Sequence, residues 1–407
     1  MAATAPAPSR RLNNASDDEI GRMRAPMNGS AYLDYNSGAP LRPLVAEAMA
    51  ACWTEAGNPS SIHGPGRAAR RRLETARAQV AALVGADPHG LVFTSGGTEA
   101  NAQILAGSGA ERLIVSSIEH PAIAEPADRA GAATIPVGRD GIIDLAALER
   151  LLSEDDRPAL VSVMLANNET GVIQPVAEAA RLAHAHGALL HCDAAQAAGR
   201  IEISLAALNA DFLTLSAHKM GGPPGIGALV LADPSFPVAP FLLGGGQESR
   251  RRAGTENLPG IVGFGTCATL VGDDLNNPAT TSQICTMRDR LERAALTRLP
   301  QAMTIGAEAP RLGNTACLAL PGLPGRTQVM ALDLAGVAVS AGPACASGRQ
   351  ETSRVLTAMG LGPDIAGSAI RISLGWASRE GDIDRFLAAW TDLARRKGFT
   401  VSQAEAA

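Results

Sequence analysis

At 407 residues, with 46% hydrophobic and 18% charged side chains, the chain is long enough for one large core and a smaller second one. No apolar run approaches the roughly 18–20 uncharged residues that span a bilayer, and a net charge of -5 leaves no basic footprint for nucleic acid. The six cysteines (Cys52, Cys192, Cys267, Cys285, Cys317 and Cys345) are scattered without a C-x-x-C pair. That spacing argues against a zinc cage or a disulfide framework and for a reducing, cytoplasmic compartment.

Residues 1–28 are rich in Ala, Pro, Arg and Asn and lack apolar periodicity, so they read as a disordered tail or as the product of an upstream start codon, with the true start at Met23 or Met27. Asp17, Asp18 and Glu19, with no apolar stretch beside them, argue against a secretory signal. From about residue 70 to 235 short apolar runs alternate with helical patterns. Strands are predicted at Leu91–Thr94, Leu113–Ser117, Leu160–Leu165, Leu189–Cys192, Phe212–Ser216 and Ile226–Leu231, with amphipathic helices between several of them, such as Val176–Ala185. Alternating βα units predict an α/β fold with a doubly wound, mostly parallel sheet that places ligands at the carboxyl ends of its strands. After a Gly-rich segment at 244–254, a helical stretch runs from Pro259 to Arg298 with a break near Asn276–Pro278. Strands at Ala316–Leu320, Val337–Ser340 and Ala369–Leu374 then alternate with helices at Thr327–Leu334, Ser353–Met359 and Ile383–Arg395. The expected division is a large domain over 29–262, whose N-terminal segment contributes to a smaller α+β domain over 263–398, and a tail from 399 to 407.

Only two of the 35 basic residues are lysines, Lys219 and Lys397. Arginine serves wherever a solvated positive charge suffices, but it stays protonated, whereas a buried lysine amine can lose its proton and form a Schiff base. Lys397 lies in the polar run RRKGF, and Lys219 in the apolar FLTLSAHKMGG. Three further features fall at predicted strand ends. Thr94-Ser95-Gly96-Gly97-Thr98-Glu99 opens a helix; its glycines let backbone N–H groups approach a phosphate, although the same residues also make an ordinary helix cap. Asp193 ends the Leu189 run and is either a cap or a partner for the ring nitrogen of pyridoxal 5'-phosphate (PLP). Lys219 follows 26 residues later, behind Ser216 and His218, at the end of the next strand.

The segments YLDYNSGAP, GNPSSIHGPGRAAR, LVFTSGGTEAN, SSIEHPAI, ANNETGVIQP, HCDAAQAAGR, SAHKMGGPPGIGAL, GGGQESRRRAGTEN, VSAGPACASG and AIRISLG occur in that order from Ala31 to Arg395. In these the chain resembles the cysteine desulfurases of the class-V aminotransferase group, fold type I PLP enzymes, in their longer-loop branch. The resemblance implies that Lys219 holds PLP covalently and later shuttles the substrate Cα proton. It implies that Asp193 pairs with the ring nitrogen, Gln196 bonds the ring oxygen, and His120 stacks on the ring and helps proton transfer. Gly97, Thr98, Ser216 and His218 correspond to the phosphate site, and Thr255 to a residue that reaches the phosphate of a second copy in a homodimer. Asn168, also beside the cofactor, and Arg371 correspond to groups that hold the carboxylate of L-cysteine, with Asn36 at the substrate entrance. Cys345, among small residues in SAGPACASG, corresponds to the sulfur acceptor. The implied outcome is alanine and a Cys345 persulfide for an iron–sulfur scaffold protein or a tRNA-thiolation relay, with no metal.

Three positions depart from the family pattern. NSGAP stands where a Thr-rich segment is usual, Pro343 replaces a serine two residues before the cysteine, and Pro224 follows Pro223 where lysine is common. A selenocysteine lyase or plain aminotransferase on the same fold is the nearest alternative, and the ACASG segment separates the second of these. A catalytically quiet paralogue acting as a binding subunit would not need the set Lys219, Asp193, His120 and Cys345. A DNA-binding regulator would need an added basic module that the tail does not offer.

Overall fold

The computed structural model describes residues 30–54, 57–342 and 353–402. The strands in chain order are β1 (Ala31–Tyr32), β2 (Leu91–Thr94), β3 (Arg112–Ser116), β4 (Ala133–Ile135), β5 (Ala159–Ser162), β6 (Leu189–Asp193), β7 (Phe212–Ser216), β8 (Gly227–Leu231), β9 (Met303–Thr304), β10 (Thr315–Ala319), β11 (Val337–Ala338) and β12 (Ala369–Ser373). Seven of them form one sheet in the order β2-β8-β7-β6-β5-β3-β4. The neighbours from β7 through β6, β5 and β3 to β4 are parallel, and β8 runs antiparallel to both β7 and β2. This is the mostly parallel α/β sheet that the alternating pattern predicts.

The strands bury both faces, which is why they read as continuous apolar runs. Phe93, Ile114, Val161, Leu190, Leu213 and Val230 enter one core under the helices Gly64–Leu83, Val176–Ala185 and Leu258–Leu275. Their alternates Val92, Val115, Leu160, Phe212 and Leu229 enter another, under the helices Gly97–Gly107 and Pro121–Arg129. A separate core gathers Ala31 and Leu33, strands β10 and β12, and Leu291, Leu332, Phe386 and Trp390. β1 pairs in parallel with β11, so the start of the described chain joins its C-terminal part.

Two expected boundaries change. The border at 262/263 cuts the helix Leu258–Leu275, whose Ile261, Phe264, Cys267, Ala268 and Val271 all pack into the large core. The change of partner comes at Asn276–Asn277, before the helix Pro278–Arg298, where Asn277 caps the new helix. The tail expected from 399 also begins too early: Phe399 and Val401 pack on the second core, and the Ser402 amide donates to the Arg298 carbonyl at 3.0 Å. The expected tail 1–28 lies outside the described residues.

Candidate active site

The parallel pairing of β6 and β7 sets Asp193 opposite Thr214, and the three-residue turn Ala217–Lys219 follows β7 directly. Thr94 and Ser216 both pair with Gly227 across β8. A Cβ at Gly227 would stand 2.5 Å from the Gly96 carbonyl carbon. Glycine there lets the start of the helix Gly97–Gly107 close against the end of β7, and a Cβ on Gly97 would lie 3.5 Å from the Ser216 Cβ.

Lys219 Nζ donates to the carbonyls of Asn36 at 2.7 Å and Ser37 at 3.0 Å. Burial lowers its pKa to about 8, helped by the positive charges of Arg200 and Arg371 and opposed by Asp34 and Asp193. Asp193 is buried; its Oδ2 accepts from Asn101 Nδ2 at 2.8 Å and its Oδ1 from the Ala195 amide at 2.9 Å. His120 caps the helix Pro121–Arg129 by accepting the Ala122 amide on Nδ1 at 3.1 Å. That bond leaves the neutral ring with its proton on Nε2. Burial, with the charge of Lys219, pushes its pKa down against the pull of Asp193. The neighbouring Glu119 is fully enclosed, and burial followed by the Asp193 charge raises its pKa well above the carboxylate range. Glu119 Oε1 accepts the Met164 amide at 2.7 Å and Oε2 has no partner.

Ser216 Oγ and His218 Nδ1 are 2.9 Å apart, and burial holds the His218 pKa near 4, so this histidine contributes a hydrogen bond rather than a charge. Thr98 is exposed on the first turn of the helix Gly97–Gly107. Thr255 is also exposed and lines a cavity of about 110 Å3 with Thr94, Ser95 and Arg252. Gln196 Nε2 donates to the Asn36 carbonyl at 3.0 Å, while its Oε1 accepts from Arg200 Nη1.

Asn36, Asn168 and Arg371 converge. The Asn168 carbonyl accepts from Arg371 Nη1 at 2.9 Å and from Asn36 Nδ2 at 3.1 Å. Arg371 is buried on β12; its Nη2 donates to Asp34 Oδ1 and Ser37 Oγ, both at 2.7 Å, and its Nε is buried without a partner. The Asn36 side chain is taken up by Thr315, Asn168 and Asn314. What Asn36 turns towards Lys219 is its backbone carbonyl. Cys345 and Pro343 lie outside the described residues.

Sequence reasoning missed Asn101 and Arg200. Asn101 falls four residues after Gly97 on the same helix face, a spacing that marks it as a neighbour of the phosphate-type turn. Arg200 has no comparable signal: it follows Gly199, at φ 73°, and its Nη2 reaches the carbonyls of Tyr35 at 3.3 Å and Lys219 at 3.4 Å. The assembled groups fit PLP. They supply an amine whose pKa burial lowers to about 8, a carboxylate for a ring N–H, a flat imidazole, and hydroxyl, imidazole and helix N-terminal donors for a phosphate.

Residues 31–386 match the family Aminotransferase class-V. A cysteine desulfurase of Cereibacter sphaeroides is 44% identical over 370 residues, covering 88% of this chain and 93% of that protein. The IscS-like cysteine desulfurase of Mycobacterium tuberculosis is 37% identical over 373 residues, covering 88% and 94%. Among solved structures, a NifS-like protein from Rickettsia africae superposes with a TM-score of 0.84 at 34% identity, covering 90% of this chain and 99% of that one.

Proposed function

We propose, for a chain that belongs to the class-V aminotransferase family and within it to the PLP-dependent cysteine desulfurases, a division of labour in which Lys219 moves protons and Cys345 accepts sulfur. The observation that carries it is the low-pKa amine of Lys219 held beside the fixed carboxylate of Asp193. When bound, PLP withdraws electrons from the carbon that bears the substrate amine and so lets that carbon lose its proton. Asp193, oriented by Asn101 and the Ala195 amide, would pair with the ring nitrogen. His120 would stack on the ring, and Gln196 would donate to the ring oxygen with the Nε2 hydrogen not given to the Asn36 carbonyl. Gly97, Thr98, Ser216 and His218 would take the phosphate, joined by Thr255 of a second copy.

Arg371 and Asn168 hold the carboxylate of L-cysteine. The unpartnered Nε of Arg371 supports this role, because a buried guanidinium N–H without an acceptor costs free energy until one arrives. Asn36 serves through its carbonyl, which orients the Lys219 amine. Lys219 Nζ takes the Cα proton. Cys345, as thiolate, forms an S–S bond to the substrate sulfur while the Cβ–S bond breaks and its electron pair stays with the carbon fragment. Protons returned to that fragment give L-alanine. The balance is L-cysteine plus enzyme thiol to L-alanine plus enzyme persulfide, with no external oxidant.

The exposed run Phe241, Leu242 and Leu243, just before the segment that leads to Thr255, supports a homodimer face. The persulfide passes to a protein acceptor, an iron–sulfur scaffold or a thiolation relay, in a reducing, cytoplasmic setting that keeps the thiol free. Among the described residues no helix is long and apolar enough to cross a membrane.

The test compares wild type, Lys219→Ala and Cys345→Ser in assays of alanine, sulfide and bound persulfide. Lys219→Ala is expected to lose both the yellow covalent cofactor band and turnover. Cys345→Ser is expected to keep the band and form no persulfide. A yellow Lys219→Ala protein, or normal sulfide release by Cys345→Ser, would overturn the assignment.

A further inference from the structure

The chain between Ser340 and Ser353 carries Cys345, and both of its ends rest on the substrate-carboxylate site. Upstream, Ser340 and Arg371 exchange backbone hydrogen bonds, at 2.7 Å from the Arg371 amide and 3.1 Å from the Ser340 amide. Downstream, Ser353 Oγ donates to Glu169 Oε2 at 2.6 Å. Glu169 is the residue after Asn168, and its backbone is pinned by an Asx turn in which Asn167 Oδ1 accepts the amides of Glu169 at 2.9 Å and Thr170 at 3.0 Å. Both partners are nearly closed to solvent, at 6% exposure for Glu169 and 2% for Ser353. Burial raises the pKa of Glu169 and the Ser353 hydrogen bond opposes that rise, and a buried hydrogen bond is costly to leave unmade. Arg354 adds a second tie to the same side by donating to Asp128 at 2.7 Å, but that pair is exposed and screened.

Resting on the reading that Cys345 accepts the sulfur, we propose that Glu169, through its hydrogen bond to Ser353, is a positioning residue for the sulfur-transfer step: it anchors the downstream end of the cysteine-bearing segment to the element that holds the substrate carboxylate. Glu169 sits in a turn of the large-sheet part, Ser353 opens the helix Arg354–Ala358, and their bond sets where the chain that carries Cys345 rejoins the fold, one residue along from Asn168, whose carbonyl accepts from Arg371. A displacement near 1 Å at a reacting pair can lower a rate by up to roughly 100-fold, so releasing one of two anchors predicts a loss of about tenfold.

Ser353 also caps its helix by accepting the Leu356 amide at 3.0 Å, so the variants must separate cap from anchor. Ser353→Asn keeps a cap acceptor and gives Glu169 an amide donor. Ser353→Asp keeps the cap but sets one carboxylate against another. Glu169→Ala removes the acceptor. The experiment uses holoenzyme and reads two quantities: half-saturation of the absorbance change on adding L-cysteine, and the single-turnover rate of persulfide and alanine formation. Ser353→Asp and Glu169→Ala are expected to transfer sulfur about tenfold more slowly with half-saturation unchanged, while Ser353→Asn stays within about twofold of wild type. A wild-type rate for Ser353→Asp, or weakened L-cysteine binding in step with the rate in every variant, would overturn the proposal. Failure of the underlying reading shows separately, as normal persulfide-independent turnover by Cys345→Ser in the same assay.

Discussion

Two lysines in 407 residues allow a direct measurement at Lys219. Its amine is placed near a pKa of about 8, against an ordinary 10.5, by burial first and then by Arg200 and Arg371. At pH 7.5 about a quarter of such an amine is neutral, against ~0.1% for an ordinary lysine. Arg200 is the charge to remove, because its Nη2 bonds the Lys219 carbonyl at 3.4 Å and it is not among the residues proposed to touch cofactor or substrate. With an effective dielectric near 20, loss of one neighbouring like charge shifts the amine upward by about one unit, which cuts its neutral fraction at pH 7.5 about tenfold. Cofactor-free protein labelled at the lysine side chains gives two resonances, and Lys397→Arg leaves only that of Lys219. We expect a wild-type midpoint near 8 and a higher one in Arg200→Gln. A wild-type midpoint near 10.5, or one unmoved by Arg200→Gln, would refute the electrostatic account. The same shift makes stability depend on pH. Between about pH 8 and 10.5 the unfolded chain holds a proton that the folded Lys219 has lost, so stability rises across that window. Below pH 8 the fold bears the full cost of keeping the amine charged, ~3 kcal/mol.

Three further outcomes follow from buried partners. Asn101→Ala leaves Asp193 Oδ2 without its side-chain donor, which is expected to cost about 1–3 kcal/mol and to speed PLP dissociation, read from retained cofactor absorbance after gel filtration. Glu248 accepts both Arg77 Nη atoms at 2.7 and 2.8 Å and the Phe93 amide at 2.9 Å; Glu248→Ala leaves the buried Arg77 charge with only Glu74 and the Leu91 carbonyl and is expected to lower unfolding stability by about 3 kcal/mol in a denaturant titration. Ser249 sits at φ 54° between Glu248 and Arg250, which also have positive φ, so Ser249→Gly relieves left-handed strain and is expected to raise stability by about 1 kcal/mol in the same titration.

The strands of the large sheet were legible because burial on both faces leaves uninterrupted apolar runs: those predicted from Leu91, Leu189 and Phe212 start where β2, β6 and β7 start. β4 was missed, since three residues, Ala133–Ile135, carry too little pattern to stand out. The order β2-β8-β7 was not legible, because β8 returns antiparallel beside β2 across more than 130 residues of chain, a pairing that local periodicity does not encode.

The site divides along the same line between local and long-range information. Lys219 and Asp193 could be placed on neighbouring strand ends because each closes its own apolar run, and β6 and β7 do pair. Asn36, Gln196 and Arg200 belong to the other kind. The resemblance placed Asn36 at the substrate entrance; the fold binds its side chain to Thr315 and Asn314, some 280 residues away, and directs its carbonyl at Lys219. The same carbonyl accepts from Gln196, whose other amide end is held by Arg200. A backbone oxygen is shared by every residue type, so no substitution pattern at position 36 advertises it. This also gives the unusual NSGAP segment a physical reading. Lys219 meets it through the main-chain oxygens of Asn36 and Ser37, so the side chains there can depart from the family's Thr-rich segment while the orientation of the amine is retained.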